Sequence, residues 1–266
     1  MYSDYHLHTM FSGDSDTDPR LQIERAASLG MEEICLTDHQ DFDFPPGDFV
    51  FVFDTQKYFN MLKGLQEEYD GRIKIRIGVE AGLQPHLSDV LDWYVRMYPF
   101  DYVIGSTHLS RRLDPYEPSF WEGIDEDKAI EAYFQDELEN LTSVSCYDVA
   151  GHIDFVLRTC SMPGLKRAWP RYSGLIDAML RHIIEHGKGI ECNTSGLRSG
   201  QGFPNPHPDI LKRYRELGGE IITIGSDAHV PGHVGKDFEL LHDMLQDCGF
   251  KYYAVFRQRK PEFKRL

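Results

Sequence analysis

Apolar, β-branched runs of four to eight residues recur along the chain, separated by longer amphipathic stretches. This alternation is the signature of a parallel α/β sheet with helical crossovers. Seven runs read as strands: Tyr2–Leu7, Glu33–Thr37, Ile73–Val79, Tyr102–Ser106, Asp148–Gly151, Gly189–Asn193 and Glu220–Gly225, with Tyr252–Arg257 a candidate eighth. Helices are predicted between them near Pro19–Leu29, Thr55–Tyr69, Leu87–Met97, Asp127–Val144, Arg171–His186, Pro208–Leu217 and Val234–Asp247. Asp18-Pro19 reads as N-cap and first helical residue, and Gly30, Gly187 and Gly218 follow helix ends as C-caps. No stretch reads as a linker and no repeat period emerges, so Asp41–Asp54 is expected to be a long loop and residues 1–266 one domain. At 266 residues the chain has the length of a single α/β barrel.

Composition narrows the function. The chain is 41% hydrophobic and 27% charged, with no apolar run long enough to span a bilayer, so no membrane role is expected. Its start, Met1-Tyr2-Ser3-Asp4-Tyr5, lacks the basic and apolar regions of a signal peptide, and the cytoplasm is the expected location. Cys35, Cys146, Cys160, Cys192 and Cys248 are odd in number and never form a CxxC pair, which argues for reduced thiols over disulfides or a thiolate zinc site. A formal charge of −15 opposes extended nucleic-acid binding. Small phosphorylated substrates stay open, because a buried metal cluster would dominate the field where they bind. Oligomeric state is not legible.

In β/α barrels the chemistry gathers at the C-terminal ends of the strands. Six of the seven expected strands end in a metal-ligand type: His6-Leu7-His8, Asp38-His39, Glu80, His108, His152 and Asp227-Ala228-His229. The sixth ends in Glu191-Cys192-Asn193-Thr194-Ser195, polar but less ligand-like. A lone histidine is usually a surface or core residue. Here six of the twelve histidines fall at strand ends, and His6-x-His8 puts two imidazoles on one face of a strand where both reach one ion. Glu80 and Asp227 add hard oxygen donors, a mixture suited to Zn, Mn or Fe(II).

In order along the chain, His6-Leu7-His8-Thr9 with Ser12-x-Asp14, Thr37-Asp38-His39, Gly78-x-Glu80, Gly105-Ser106-x-His108, Gly151-His152-x-Asp154 and Ser226-Asp227-x-His229 resemble the motifs of the polymerase-and-histidinol-phosphatase (PHP) phosphoesterases. The segments Asn193–Arg198 and Phe256–Pro261 look more like the histidinol-phosphatase branch than the polymerase-associated one. The resemblance implies a distorted (β/α)7 TIM-like barrel of parallel strands and a phosphomonoesterase, with L-histidinol phosphate the leading substrate. It also implies two to three divalent ions of Zn, Mn or Fe. His6, His8, Glu80 and Asp227 would hold one; Glu80 would bridge to a second on His108 and His152; Asp14, His39 and His229 would hold a third. Many relatives carry His at the position of Asp14, and Ser12 and Asp16 are close by in sequence.

The physics of that implied centre suits a phosphatase. Three ions, three carboxylates and a bridging hydroxide leave a net charge of about +2 to attract a dianion, and a bound water acidified toward ~7 is the nucleophile. Phosphate oxygens off the metals need donors, for which Arg158 and Arg198 are expected, with Asp227 and His229 as further catalytic residues and Ser195 in substrate binding. Glu117, in the loop after the fourth strand, is a candidate for the substrate amine. Asp154 is expected to orient rather than ligate. Arg111, Arg112, Lys166, Arg167 and Arg171 read as solvated loop charges, and His86, His207, His233 and His242 as surface or loop residues.

Rival readings remain at this level. His182-Ile183-Ile184-Glu185-His186 fits an inverted zinc-protease pattern, but it ends a helix before Gly187, on the expected stability face of a barrel. A barrel amidohydrolase is disfavoured because no strand ends in lysine. Activity on nucleotides or other phosphate esters, and a non-catalytic PHP module, are the alternatives that turnover and metal content separate.

Overall fold

The computed structural model describes residues 2–162 and 168–266; Lys166 and Arg167 lie outside the described residues. Along the chain it contains α1 (Pro19–Ser28), β1 (Glu33–Leu36), β2 (His39–Gln40), α2 (Thr55–Glu68), β3 (Lys74–Gly82), α3 (Ser88–Met97), β4 (Tyr102–Ser106), α4 (Pro118–Trp121), α5 (Glu126–Ser143), β5 (Val149–Ala150), α6 (Ala168–Glu185), β6 (Gly189–Asn193), α7 (Ser195–Arg198), α8 (Pro208–Glu216), β7 (Ile222–Gly225), α9 (Leu241–Asp247), β8 (Tyr252–Arg257) and β9 (Lys260–Arg265). The strands through β7 are parallel, in the order β1-β3-β4-β5-β6-β7, with β2 also pairing with β3.

The first expected strand closes this sheet. Asp4 O accepts from Cys35 N and Leu7 O from Thr37 N on one side, each at 2.9 Å. On the other side Tyr5 N donates to Ile224 O at 2.9 Å, Asp227 N to His6 O at 2.8 Å and His8 N to Ala228 O at 3.0 Å. Residues 4–8 are thus gripped by both edges, and the distorted TIM-like barrel expected from the sequence is observed. Its strands are wholly buried from β4 through β7, as befits a sheet covered by helices. The side chain of Asp18 caps α1 by accepting from Arg20 N, as expected.

Two expectations are corrected. Tyr252–Arg257 does not join the barrel; as β8 it pairs antiparallel with β9 through a two-residue turn at Gln258 and Arg259, whose φ values are 49° and 65°. Both turn residues adopt the left-handed conformation that such tight hairpins require. The hairpin caps the bottom of the barrel, where Phe256 packs on Tyr102 and Arg259 reaches Asp148 and the carbonyl of Cys146. The last predicted helix is shortened to α9, because Gly235 at φ 62° and Asp237 at φ 63° break its first half. All five cysteines are buried, and no helix among the described residues is long and apolar enough to cross a membrane.

Candidate metal centre and active site

Period-2 geometry places His6 and His8 on the same side of the closing segment, inside the top of the barrel, and the other strand ends deliver their histidines and carboxylates around them. Glu80, wholly buried, stands at the centre. Its Oε2 lies 3.1 Å from His6 Nε2, 3.5 Å from His8 Nε2 and 3.0 Å from His39 Nδ1. Its Oε1 lies 2.9 Å from His152 Nε2 and 3.2 Å from His108 Nε2. Asp227 Oδ1 is 3.3 Å from His8 Nε2 and 3.8 Å from His6 Nε2. Asp14, less buried, sets Oδ2 3.1 Å from His229 Nε2 and 3.7 Å from His39 Nε2. All nine residues expected as ligands are therefore brought to one place.

These atoms fit divalent ions. Donors bound about 2.0–2.2 Å from a tetrahedral centre stand roughly 3.3 Å from one another, which is the spacing seen here. His6 Nε2, His8 Nε2, His39 Nδ1 and Glu80 Oε2 are buried with no hydrogen-bond partner, a condition the chain alone leaves unresolved. The far sides of four of these rings are tied down. His6 Nδ1 contacts Glu191 Oε1 at 2.6 Å, His108 Nδ1 contacts Asp41 Oδ1 at 2.6 Å, and His229 Nδ1 contacts the carbonyl of Asp227 at 3.1 Å. His8 Nδ1 meets Ser12 Oγ at 2.9 Å, and that hydroxyl donates to Asp38 at 2.8 Å. Such outer partners fix ring orientation and tautomer so that the inner nitrogen offers its lone pair.

Electrostatics agree with an acceptor-rich centre. Burial opposes ionisation of Glu80, yet His6, His39 and His108 hold its pKa well below the usual value. Asp227 is likewise held down against burial by His6 and Arg158. Burial, helped by His229 and His39, pushes His8 well below the usual histidine value, so it stays neutral and ready to ligate. Asp227 also sits at φ 54°, a left-handed conformation uncommon outside glycine and a form of strain that gathers at functional sites. Gly225 is needed nearby, since a Cβ there would come within 2.3 Å of Glu191 Oε1 and 2.4 Å of His6 Cβ.

The two expected arginines are placed differently. Arg158 is buried and lines the pocket. Its Nε donates to Asn205 Oδ1 at 2.9 Å, its guanidinium lies 5.0 Å from the Phe155 ring centroid, and Nη2 stands 3.1 Å from Asp227 Oδ2 without hydrogen-bond alignment. Asp154 accepts from Asn205 Nδ2 at 2.6 Å, so it orients Arg158 through Asn205 and is not among the grouped metal donors. Arg198, in contrast, donates from Nη2 to the carbonyl of Ser226 at 2.6 Å, steadying the turn that carries Asp227. Ser195 Oγ lies 3.1 Å from Asp227 Oδ2 and lines the pocket.

The pocket over this centre is an open cleft with a cavity volume of about 260 Å³. Beyond Arg158, Ser195 and the side chains of the histidine and carboxylate cluster its walls are Phe44, Phe51, Phe155 and Tyr116, with Asp41 and Asp114 among them. Glu117 is not one of them; it is exposed, at the N-cap of α4. The adjoining chain turns at Arg111 and Arg112, both left-handed at φ 54° and 61°, and it is Asp114 and Tyr116 that reach the cavity. Sequence reasoning also passed over Asp41 and undervalued Glu191. Asp41 stands two residues from His39, the same period-2 spacing that singled out His6 and His8, and Glu191-x-Asn193 repeats it in β6.

The remaining candidates lie elsewhere. His182 and His186 stack on each other at 4.0 Å on the outside of α6, with His186 Nδ1 bonded to the His182 carbonyl. They do not meet the strand-end cluster. His86 pairs with Asp43, His242 with Tyr2, and His207 caps α8. Arg112 pairs with Asp43, Arg171 with Asp127, and Arg111 covers the Phe120 ring.

Comparison with known proteins gives the same picture. Residues 4–195 match the PHP domain. A probable histidinol-phosphatase of Clostridium acetobutylicum is 34% identical over 98% of both chains. A histidinol-phosphatase of Lactococcus lactis is 30% identical over 97% of this chain and 95% of its own. The crystal structure of histidinol phosphate phosphatase from Lactococcus lactis, complexed with Zn, L-histidinol and phosphate, superimposes with a TM-score of 0.86 at 29% identity, covering 98% of each chain.

Proposed function

The chain belongs to the PHP family, and on that premise we propose that it is a metal-dependent phosphomonoesterase hydrolysing L-histidinol phosphate to L-histidinol and phosphate. The observation that carries the reading is the set of buried, unpartnered donor atoms around Glu80, with the Arg158 guanidinium beside them at the wall of a pocket of substrate size. The similar Lactococcus lactis enzyme, solved with Zn, L-histidinol and phosphate, supports the choice of substrate. The whole chain, residues 1–266, acts as one domain in the cytoplasm.

His6, His8, Glu80 and Asp227 would hold one divalent ion, and Glu80, His108 and His152 a second. His39 and His229, with Asp14, would hold a third. Bound there, two to three ions of Zn, Mn or Fe supply Lewis acidity and a water of lowered pKa. The chain does the rest. Arg158 faces the phosphoryl group with fixed guanidinium donors, prepaid in orientation by Asn205 and the Phe155 ring, and so stabilises charge as it spreads over the oxygens. Ser195 Oγ offers a further donor next to Asp227. Arg198 and His229 hold the Asp227 backbone in its left-handed turn. Elsewhere on the pocket wall Asp114 favours an ammonium, and Phe44, Phe51, Phe155 and Tyr116 favour a flat ring. A substrate with a phosphate, an amine and an imidazole matches all three chemistries.

The test is a comparison of kcat/KM for the metal-loaded protein on histidinol phosphate, nucleoside monophosphates and sugar phosphates. Histidinol phosphate is expected to lead. Equal or faster turnover of a nucleotide would replace the proposed substrate, and no turnover of any ester would leave a non-catalytic PHP module.

A further inference from the structure

One buried carboxyl has no part in the scheme above. Glu137, on α5, is fully buried, and neither carboxyl oxygen makes an aligned hydrogen bond, although the Thr107 hydroxyl reaches it. Burial foremost pushes its pKa up to about 8, with the Thr107 hydroxyl and His108 pulling the other way and Asp154 adding to the rise. A buried acid without an ion partner destabilises a fold relative to an apolar residue of its size, so its presence asks for a task.

Its neighbours on α5 indicate the task. Tyr133 Oη donates to the Thr107 carbonyl at 2.9 Å, and Asn140 Nδ2 donates to Thr107 Oγ1 at 2.8 Å. One turn aside, Asp136 Oδ2 accepts from Ser110 Oγ at 2.6 Å and from Arg111 N at 2.8 Å. Residues 133, 136, 137 and 140 share one helical face by their spacing of three and four, and that face grips the chain on both sides of His108. Because the Thr107 hydroxyl already accepts from Asn140, its own proton is left for an acceptor, and Glu137 is the side chain that faces it.

We propose that Glu137 is a positioning residue which, through Thr107 and together with Tyr133 and Asn140, sets the end of β4 so that His108 Nε2 points at Glu80. It touches neither substrate nor the reacting atoms. The inference rests on the reading of His108 as a metal ligand but not on the identity of the substrate.

The test uses the full chain and Zn²⁺ alone as probe, titrated calorimetrically into metal-free protein. Glu137→Leu fills the same space without polar atoms; its Tm is expected at or above wild type, while affinity at the weakest-bound equivalent falls about 10-fold, the low end for loss of an outer-shell partner. Glu137→Gln, which keeps a group able to accept from Thr107, is expected to restore affinity to within about 3-fold, a rescue that a merely space-filling residue would not need. Wild-type Zn²⁺ affinity in a folded Glu137→Leu overturns the proposal. Should that variant fail to fold, Thr107→Val removes only the hydroxyl and is expected to show the same loss, and unchanged affinity there overturns it equally. An affinity loss in variants of a protein that hydrolyses no phosphate ester would sink the phosphatase reading and leave this one standing.

Discussion

The two ends of the barrel are built from similar materials and finished differently. At the bottom, Glu33 receives the Tyr5 hydroxyl and Arg76 Nη2, the latter at 3.1 Å. Asp101 receives Ile77 N at 3.2 Å and Gln258 N at 3.0 Å, and Asp148 receives Val103 N at 2.9 Å and Arg259 Nε. Each of these acids is answered by the chain. At the top, His6 Nε2, His8 Nε2, His39 Nδ1, Glu80 Oε2 and Arg158 Nη2 are buried and unanswered. Unsatisfied polar atoms cost stability wherever they are buried, so a cluster of them converging on one carboxylate at the top marks that end as the one that takes ligands, whereas at the bottom Arg76 Nε stands alone among paired acids. Barrel architecture assigns stability to the N-terminal face and chemistry to the C-terminal face, and the partners of the buried acids divide the same way.

The sharpest way to break the contrast is to change its centre. Glu80→Gln keeps the shape and removes the charge shared by five imidazoles. It is expected to lose bound metal by elemental analysis and to drop kcat/KM by more than the roughly 10²–10³-fold typical of deleting one preorganised donor. Glu191→Gln, one layer out behind His6, is expected to cost about 10–100-fold. Full metal and full turnover in Glu80→Gln would mean the unpartnered atoms are not ligands.

A smaller effect separates the two arginines. Arg158→Ala is expected to cost about 2–4 kcal/mol in kcat/KM with metal content unchanged, because it removes a fixed donor from the pocket wall. Arg198→Lys keeps a cation that can still reach the Ser226 carbonyl, so a lesser loss is expected. Steady-state kinetics on histidinol phosphate decide the order, and the reverse order would put Arg198 on the phosphate, as the sequence alone suggested.

How much of this was legible in the sequence depends on the distance over which each feature is determined. His6-x-His8, the other strand-end ligand types and the alternation of strands and helices follow from local periodicity, and the barrel places them as expected. The hairpin of β8 and β9 was missed because its turn is Gln258-Arg259, carrying none of the Asn or Gly that usually marks left-handed turn residues. Glu117 was named and Asp114 and Tyr116 were passed over because the left-handed pair Arg111-Arg112, which redirects that loop, leaves no residue-type signal either. Partners such as Asn205 for Arg158 or Glu191 for His6 join residues 47 and 185 positions apart. Only the closed sheet brings those pairs together.

The smallest expected effect tests the satisfied end. Arg259→Ala removes the cation that reaches Asp148 and the Cys146 carbonyl, leaving Asp148, only 7% exposed, with Val103 N as its remaining partner. Arg259 is partly solvent-exposed, which discounts the full cost of breaking a buried pair, and a loss of about 1–3 kcal/mol in unfolding free energy is expected. The pH dependence has a definite sign. Burial already raises the pKa of Asp148 above the ordinary aspartate value, with Arg259 pulling it down, so removing Arg259 raises it further. A carboxyl with a raised folded pKa loses stability as pH climbs from about 4, the unfolded value, through the folded one. The deficit of Arg259→Ala should therefore be larger at neutral pH than near pH ~4, while kcat per folded molecule at neutral pH stays that of the wild type. Denaturant unfolding at the two pH values, paired with kinetics at neutral pH, makes the measurement. A variant of unchanged stability whose kcat falls as far as that of Arg158→Ala would show that the two ends of the barrel are coupled, and the division of labour drawn from their hydrogen bonds would fail.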